Sequence, residues 1–253
     1  MQNIALTLRY AGTEFHGWQR QESLRTVQGT LEAALERVLK QRVSVIGCGR
    51  TDAGVHAECY VANFRCANCS VPMERLPLAL NSNLPNDIAV SSAWYVPPDF
   101  HSVFSCTRKE YTYRVHNSPT RDPLINNRVW WYHQPLNLER IAAGAKEFIG
   151  THDFAAMRSV GTNVKTTVRT IFSFDIWENR GIINMRVAAN GFLYNMVRAM
   201  VGTLIYVSLG KLEPPDIRRV LDSGNRTLGG PTAPPQGLYM TGVEYENFNV
   251  REI

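Results

Sequence analysis

The chain lacks most of the features that assign a protein quickly. Only 19% of its 253 residues are charged. No uninterrupted apolar stretch approaches the roughly 18–20 residues of a membrane-spanning helix, so no membrane partner is expected. Phosphate-cradling loops of the GxxxxGK[ST] or GxGxxG form are absent, which removes the usual signatures of nucleoside-triphosphate and dinucleotide binding. Neither HExxH nor GxSxG occurs, leaving zinc peptidase and serine hydrolase chemistry without support. Cysteine is scarce and odd in number, with five residues at Cys48, Cys59, Cys66, Cys69 and Cys106. The start, MQNIALTLRYAG, has no basic segment followed by an apolar one, so no secretory signal is expected. Free thiols in a cytoplasmic protein are the consequent expectation. Cys66-Ala-Asn-Cys69 forms a single CxxC with no second pair or spaced histidines beside it. Cys59 and His56 are the residues left to complete a metal site, and no metal or other cofactor is expected.

Hydrophobic residues make up 44% of the chain, the balance of a globular protein. Lys and Arg total 27 against 22 Asp and Glu, a formal charge of +5. That excess fits a polyanionic partner and equally fits many proteins that have none.

Periodicity supplies the elements. Ile4, Leu6, Leu8 and Tyr10 alternate as in a strand over residues 4–10. Thr26 can cap a helix carrying Leu31, Ala34, Leu35, Val38 and Leu39 at helical spacing. Strands are expected at 43–48, near 59–64, at 93–96 and at 111–116, with a short helix somewhere in 66–90. Leu138 to Ile149 reads as a helix closed by Gly150, and 168–177 with 182–187 reads as a hairpin across Glu178-Asn179-Arg180-Gly181. A long helix is expected from Phe192 through Ile205, ended by Gly210. A short helix around 217–221, a Gly/Pro-rich segment at 229–237 and a last strand at 238–245 complete the chain. Strands and helices interleave with evident hairpins, so the expected class is α+β with mainly antiparallel sheets. The two halves hold comparable elements, which suggests two α/β lobes divided near 100–125. The division adopted is 1–105 and 106–253, with a cleft as the place for a site.

The most informative segment is Gly49-Arg-Thr-Asp-Ala-Gly-Val-His-Ala57. An aspartate between two glycines at the end of a strand is not required by packing, and the glycines let backbone approach a ligand. Arg50 can pair with Asp52 or with a phosphate, and His56 adds a second polar group. The same pattern also fits an Asx turn in which Asp52 caps its own backbone. Arg108-Lys-Glu-Tyr-Thr-Tyr113 interleaves basic and aromatic residues, a pattern that suits stacking on bases and also an ordinary half-buried strand. Arg198 interrupts an otherwise apolar helix, so its guanidinium either reaches outward to water or meets a carboxylate.

Taken together and in order, eight segments resemble the TruA family of tRNA pseudouridine synthases. They are Tyr10-Ala-Gly-Thr-Glu-Phe-His-Gly-Trp-Gln19, Thr26-Val-Gln-Gly-Thr-Leu-Glu-Ala-Ala-Leu35, Gly49–Ala57, Asn81-Ser-Asn-Leu-Pro-Asn-Asp-Ile88, Arg108–Tyr113, Gly150-Thr-His-Asp-Phe154, Gly191-Phe-Leu-Tyr-Asn-Met-Val-Arg198 and Thr232-Ala-Pro-Pro-Gln-Gly-Leu238. The resemblance implies a pseudouridine synthase fold, with the two lobes flanking a central basic cleft. It also implies isomerisation of uridine to pseudouridine at positions 38, 39 and 40 of the tRNA anticodon stem and loop, by a cytoplasmic homodimer without cofactor. Asp52 is then the nucleophile and Arg198 its charge partner. Tyr111 stacks on the target base, Arg50 helps extrude the nucleotide, and Leu238 is an apolar contact. A carboxylate can act at C1′ of the sugar, at C6 of the ring or at C2′, and the residues do not choose among these. The chain departs from the family's common pattern at His101-Ser-Val-Phe104, where His-Ala-Arg-Phe is usual. It departs again at Asn195, where His is frequent, and at Pro235, where Ala is frequent.

Overall fold

A computed structural model describes residues 1–159 and 164–246. In chain order the strands and helices are β1 (Gln2–Tyr10), α1 (Val27–Leu39), β2 (Val45–Gly47), β3 (His56–Cys66), α2 (Leu76–Asn81), β4 (Ile88–Tyr95) and β5 (Cys106–Asn117). There follow β6 (Trp130–Tyr132), α3 (Leu138–Lys146), β7 (Gly150–Asp153), β8 (Val168–Asn179), β9 (Ile182–Ala189), α4 (Met196–Ser208), α5 (Asp216–Ser223) and β10 (Leu238–Tyr245). These form two compact units. One comprises Met1–Arg108 and the chain from Tyr239 onward, and the other comprises Lys109–Leu238. The chain is therefore divided twice, and its last strand belongs with its first hundred residues rather than with the stretch 106–238.

In the first unit β1 is the inner strand, antiparallel to β3 (Ile4 opposite Phe64) and to β4 (Ile4 opposite Tyr95). β2 pairs antiparallel with β3, and β10 joins β3 in parallel, with Tyr239 opposite His56. Ile4, Ala5, Leu6 and Leu8 are all fully buried, so both faces of β1 are covered. Its alternation is thus less strict than that of a strand with one wet face. Thr26 caps α1 as expected, its Oγ1 accepting the Gly29 amide at 3.3 Å.

In the second unit β9 is flanked by β5 and β8, both antiparallel, with β7 beyond β8 and β6 running parallel to β5. The expected hairpin is β8–β9, turned at Arg180-Gly181 with φ of 52° and 74°. Positive φ at both central residues gives the strand twist its favoured turn. α4 is buried almost all round, from Met196 and Val197 through Leu204 and Ile205 to Val207. A helix apolar on every side belongs inside the protein, which makes a guanidinium on it conspicuous.

The long helix begins four residues later than its periodicity suggests. Phe192 and Leu193 continue the apolar spacing, but Asn195 sits in the left-handed region at φ 61° and ψ 7° and breaks the helix there. β2 is shorter than the expected strand, whereas β4 and β5 are longer, because pairing with β1 and β9 extends them past their apolar residues. No helix among the described residues is long and apolar enough to cross a membrane.

Candidate active site

Asp52 stands on the loop between β2 and β3, half-buried, with the Arg50 side chain exposed two residues before it. Main-chain bonds hold the loop on both sides of the carboxylate. The Val55 amide donates to the Asp52 carbonyl at 3.2 Å, closing a turn whose third residue, Gly54, has φ of 80°. That conformation is the type II arrangement, which excludes most side chains at this position. The turn is therefore closed by the main chain of Asp52. The segment after β1 supplies the remaining support. The Trp18 amide donates to the Thr51 carbonyl at 3.0 Å, and the Gly54 amide donates to the Phe15 carbonyl at 3.3 Å. The hydroxyls of Tyr10 and Thr51 are bonded at 2.8 Å, and the Tyr60 hydroxyl donates to the Gly49 carbonyl. Tyr60 also stacks on Trp18, with ring centres 4.3 Å apart.

His56 is 1% exposed and serves the same frame. Its Nδ1 accepts the Gly12 amide at 3.0 Å and its ring stacks on Tyr239 at 4.7 Å. A ring nitrogen occupied in this way is a fastener of the 10–18 segment. Among the described residues no group of three or more His, Cys, Asp or Glu is placed to hold a metal ion. Burial raises the Cys66 thiol above its ordinary pKa, with Cys69 adding to the shift.

The second unit carries the other candidates. Tyr111 and Tyr113 lie two apart on β5, opposite Val187 and Met185. Tyr111 is 7% exposed and meets Phe192 edge-on at 5.1 Å. Tyr113 is fully buried and donates to the Pro234 carbonyl at 2.7 Å. Burial raises its phenol well above the usual tyrosine pKa, and the charge of Arg198 partly opposes that shift. Tyr113 is thus core, and Arg108 pairs with Glu244 at 3.5 Å, so the basic-aromatic run reads first as a structural strand.

Arg198 lies on the first turn of α4, half-buried. Its Nε donates to the Ala233 carbonyl at 2.7 Å, and one terminal nitrogen donates to Asn195 Oδ1 at 2.7 Å. The Ala233 amide returns a bond to the Arg198 carbonyl at 3.0 Å. The Gly/Pro-rich segment is held against α4 by further contacts. Gly230 donates to Thr203 Oγ1 at 3.0 Å, and Arg226 donates to the Gly230 carbonyl at 2.6 Å and to Thr232 Oγ1 at 3.1 Å. Burial lowers the Arg226 pKa. At Gly202 a Cβ would overlap the Pro231 carbonyl, so only glycine allows this approach. The segment then crosses Tyr113 at Gly237 and ends at Leu238, which is 6% exposed.

Within this unit, then, Arg198 and the segment ending at Leu238 are gathered on Tyr113, next but one to Tyr111. In the first unit Arg50 and Asp52 share one braced loop. The first unit thus holds a carboxylate and an exposed guanidinium on one braced loop, and the second holds the half-buried Arg198 guanidinium at the start of α4. The charged residues are visible in the sequence, whereas the frame that holds them is not. The hydroxyls of Tyr10 and Tyr60, the amide of Asn195, the buried Thr203 and the cation of Arg226 act through tertiary contacts, and no periodicity marks these.

Comparison with known proteins agrees with the segment pattern. The model of a family described as tRNA pseudouridine synthase matches residues 7–105 and 144–246. A protein named tRNA pseudouridine synthase A from Thermoanaerobacter sp. (strain X514) is 45% identical over 245 residues, 97% of this chain and 100% of that one. Its namesake from Acetivibrio thermocellus is 41% identical over the same shares. A protein named tRNA pseudouridine synthase A 2 from Clostridium tetani is 42% identical over 96% of this chain and 98% of its own. Among solved structures, one described as "Crystal Structure of a Cbf5-Nop10-Gar1 Complex" is 13% identical with a TM-score of 0.39. It covers 96% of this chain, which spans 58% of that one, and so slight a likeness carries no argument. The family model and the near full-length relatives together place the chain in the tRNA pseudouridine synthase A (TruA) family of isomerases.

Proposed function

We propose that this chain isomerises uridine to pseudouridine at positions 38, 39 and 40 of the tRNA anticodon stem and loop, with Asp52 as the nucleophile. The observation that carries the reading is the bracing of the Asp52 loop. A carboxylate that must attack one atom of a nucleotide gains most from being held in place beforehand. Here the carbonyl before it, the turn after it and the neighbouring hydroxyl are each bonded to other parts of the chain. The family resemblance supports Arg198 as the charge partner of Asp52 in the reaction, since a guanidinium brought beside a carboxylate favours the charged form.

The target uridine lies in a folded arm, so it must leave its stack, at a cost of a few kcal/mol. Stacking on Tyr111 returns roughly 1–3 kcal/mol of this. Arg50, exposed beside Asp52, helps extrude the nucleotide and holds its vacated place, and Leu238 is an apolar contact for the base. The reaction exchanges a C–N for a C–C glycosidic bond within one nucleotide and has no net oxidation or reduction. The family resemblance also supports tRNA binding by a homodimer in the cytoplasm.

The test is to incubate the purified protein with an unmodified tRNA transcript and map pseudouridine by chemical labelling. New labelled sites within positions 38–40 are the expected result. An unlabelled anticodon arm after full incubation, with the protein folded, refutes the proposal.

A further inference from the structure

Asn195 is bent out of two ordinary preferences at once. It is the residue before α4, where Asn normally turns its side-chain oxygen onto an amide of the first helical turn. No such capping bond is made, although the Asn195 carbonyl does accept the Ala199 amide at 2.9 Å. Its backbone is also left-handed, at φ 61°, where the residue before a helix is normally extended. The side chain that forgoes its cap is engaged elsewhere.

The engagement is with Arg198. Asn195 Oδ1 accepts the Arg198 terminal nitrogen at 2.7 Å, and Asn195 Nδ2 donates to Ser159 Oγ at 2.9 Å. The guanidinium can only donate, so the amide oxygen must face it, and the amide nitrogen is left to donate to the Ser159 hydroxyl, which ties the side chain down from its other end. On its other side Arg198 donates from Nε to the Ala233 carbonyl. Acceptors at two separated nitrogens hold the planar guanidinium against rotation about its stem, which one acceptor cannot do. An uncharged acceptor suits this place, because a carboxylate at 195 would be a lasting rival for the cation.

We infer that Asn195, tethered by Ser159, is a positioning residue that sets the orientation of the Arg198 guanidinium for catalysis. This rests on the reading above in which Arg198 acts in the reaction. It follows that the rate should depend on the Asn195 amide while tRNA binding should not.

The experiment compares wild type with Asn195→Gly, Asn195→Asp, Arg198→Leu and the Asn195→Gly/Arg198→Leu double variant, measuring kcat and KM on a tRNA transcript and thermal midpoint. Glycine accepts the left-handed backbone without strain, so Asn195→Gly removes the amide and keeps the helix start. The expected result is a kcat lowered about ten- to a hundredfold in Asn195→Gly, with KM unchanged and the protein folded at the assay temperature. Asn195→Asp should also lose rate despite keeping an acceptor, and the double variant should be no slower than Arg198→Leu alone. Wild-type kcat in Asn195→Gly, alongside a slow Arg198→Leu enzyme, overturns the positioning role and leaves the function standing. Wild-type kcat in Arg198→Leu removes the premise instead. A loss in the double variant equal to the product of the single losses also overturns the inference, because Asn195 would then act apart from Arg198.

Discussion

Replacing Thr203 by valine tests how the Gly/Pro-rich segment is held against the helix that carries Arg198. Thr203 is fully buried, and its hydroxyl donates to the Ala199 carbonyl at 2.9 Å while accepting the Gly230 amide at 3.0 Å. Valine matches its shape and branching, so packing and helix propensity change little, but Gly230 loses its acceptor where water does not reach. Leaving one buried amide unsatisfied costs about 1–3 kcal/mol. The Ala199 carbonyl loses an additional bond of modest worth, so about 2 kcal/mol is a fair central value. In a chain of this length that lowers the thermal midpoint by roughly 4–8 °C. Thr203→Ser keeps the hydroxyl and removes a single buried methyl, at a cost of about 1 kcal/mol. The expected order of stability is wild type, then serine, then valine. Because the same segment presents the Ala233 carbonyl to Arg198, kcat on tRNA should follow that order too. Thermal unfolding monitored by circular dichroism reads the first ranking, and pseudouridine formation under saturating tRNA reads the second. If valine proves as stable as serine, the hydroxyl is not what anchors Gly230, and the account of this segment fails.

Two further outcomes follow from buried groups elsewhere. His56→Phe retains a ring to stack on Tyr239 but orphans the Gly12 amide; it should destabilise the protein by about 1–3 kcal/mol and slow catalysis by loosening the 10–18 segment, and an unchanged denaturation midpoint would contradict this. At alkaline pH the phenols of Tyr113 and Tyr245 resist ionisation, the first well above and the second far above the ordinary tyrosine range, chiefly because both are buried. Their folded pKa values are raised, so their contribution to stability is intact below the unfolded value near pH 10 and declines as pH climbs beyond it. Ultraviolet titration should therefore show these two of the ten tyrosines ionising only as the circular dichroism signal collapses. Ionisation of all ten while the fold persists would count against it.

What could be read from the sequence was what depends on near neighbours. The Thr26 cap, the hairpin about Arg180-Gly181 and the last strand at Leu238–Tyr245 rest on local hydrogen bonding, turn chemistry and alternation, and each is found as expected. The start of α4 was illegible because Phe192 and Leu193 keep the helical spacing for a different reason: Phe192 packs edge-on against Tyr111. The length of β4 was hidden because Ser91 and Ser92 favour a strand only when β1 is beside them. The return of β10 to the first unit is a long-range pairing that no window along the chain contains. The site divides in the same way. Asp52 and Arg198 stand out because a charge between glycines or on an apolar helix demands an explanation. Tyr10 and Tyr60 pass as ordinary core residues until their hydroxyls are seen to hold the loop that carries Asp52, and Thr203 does so until its hydroxyl is seen to hold the Gly/Pro-rich segment against the helix that carries Arg198.

The most direct test of the whole account is the rate of pseudouridine formation by Asp52→Asn, measured beside its affinity for tRNA. Asparagine keeps the shape of the side chain and leaves the braced loop undisturbed, while removing the ionised oxygen. Asp52→Asn should bind tRNA like wild type and form no pseudouridine. Turnover by Asp52→Asn at a rate comparable to wild type would contradict the role of Asp52 as the nucleophile.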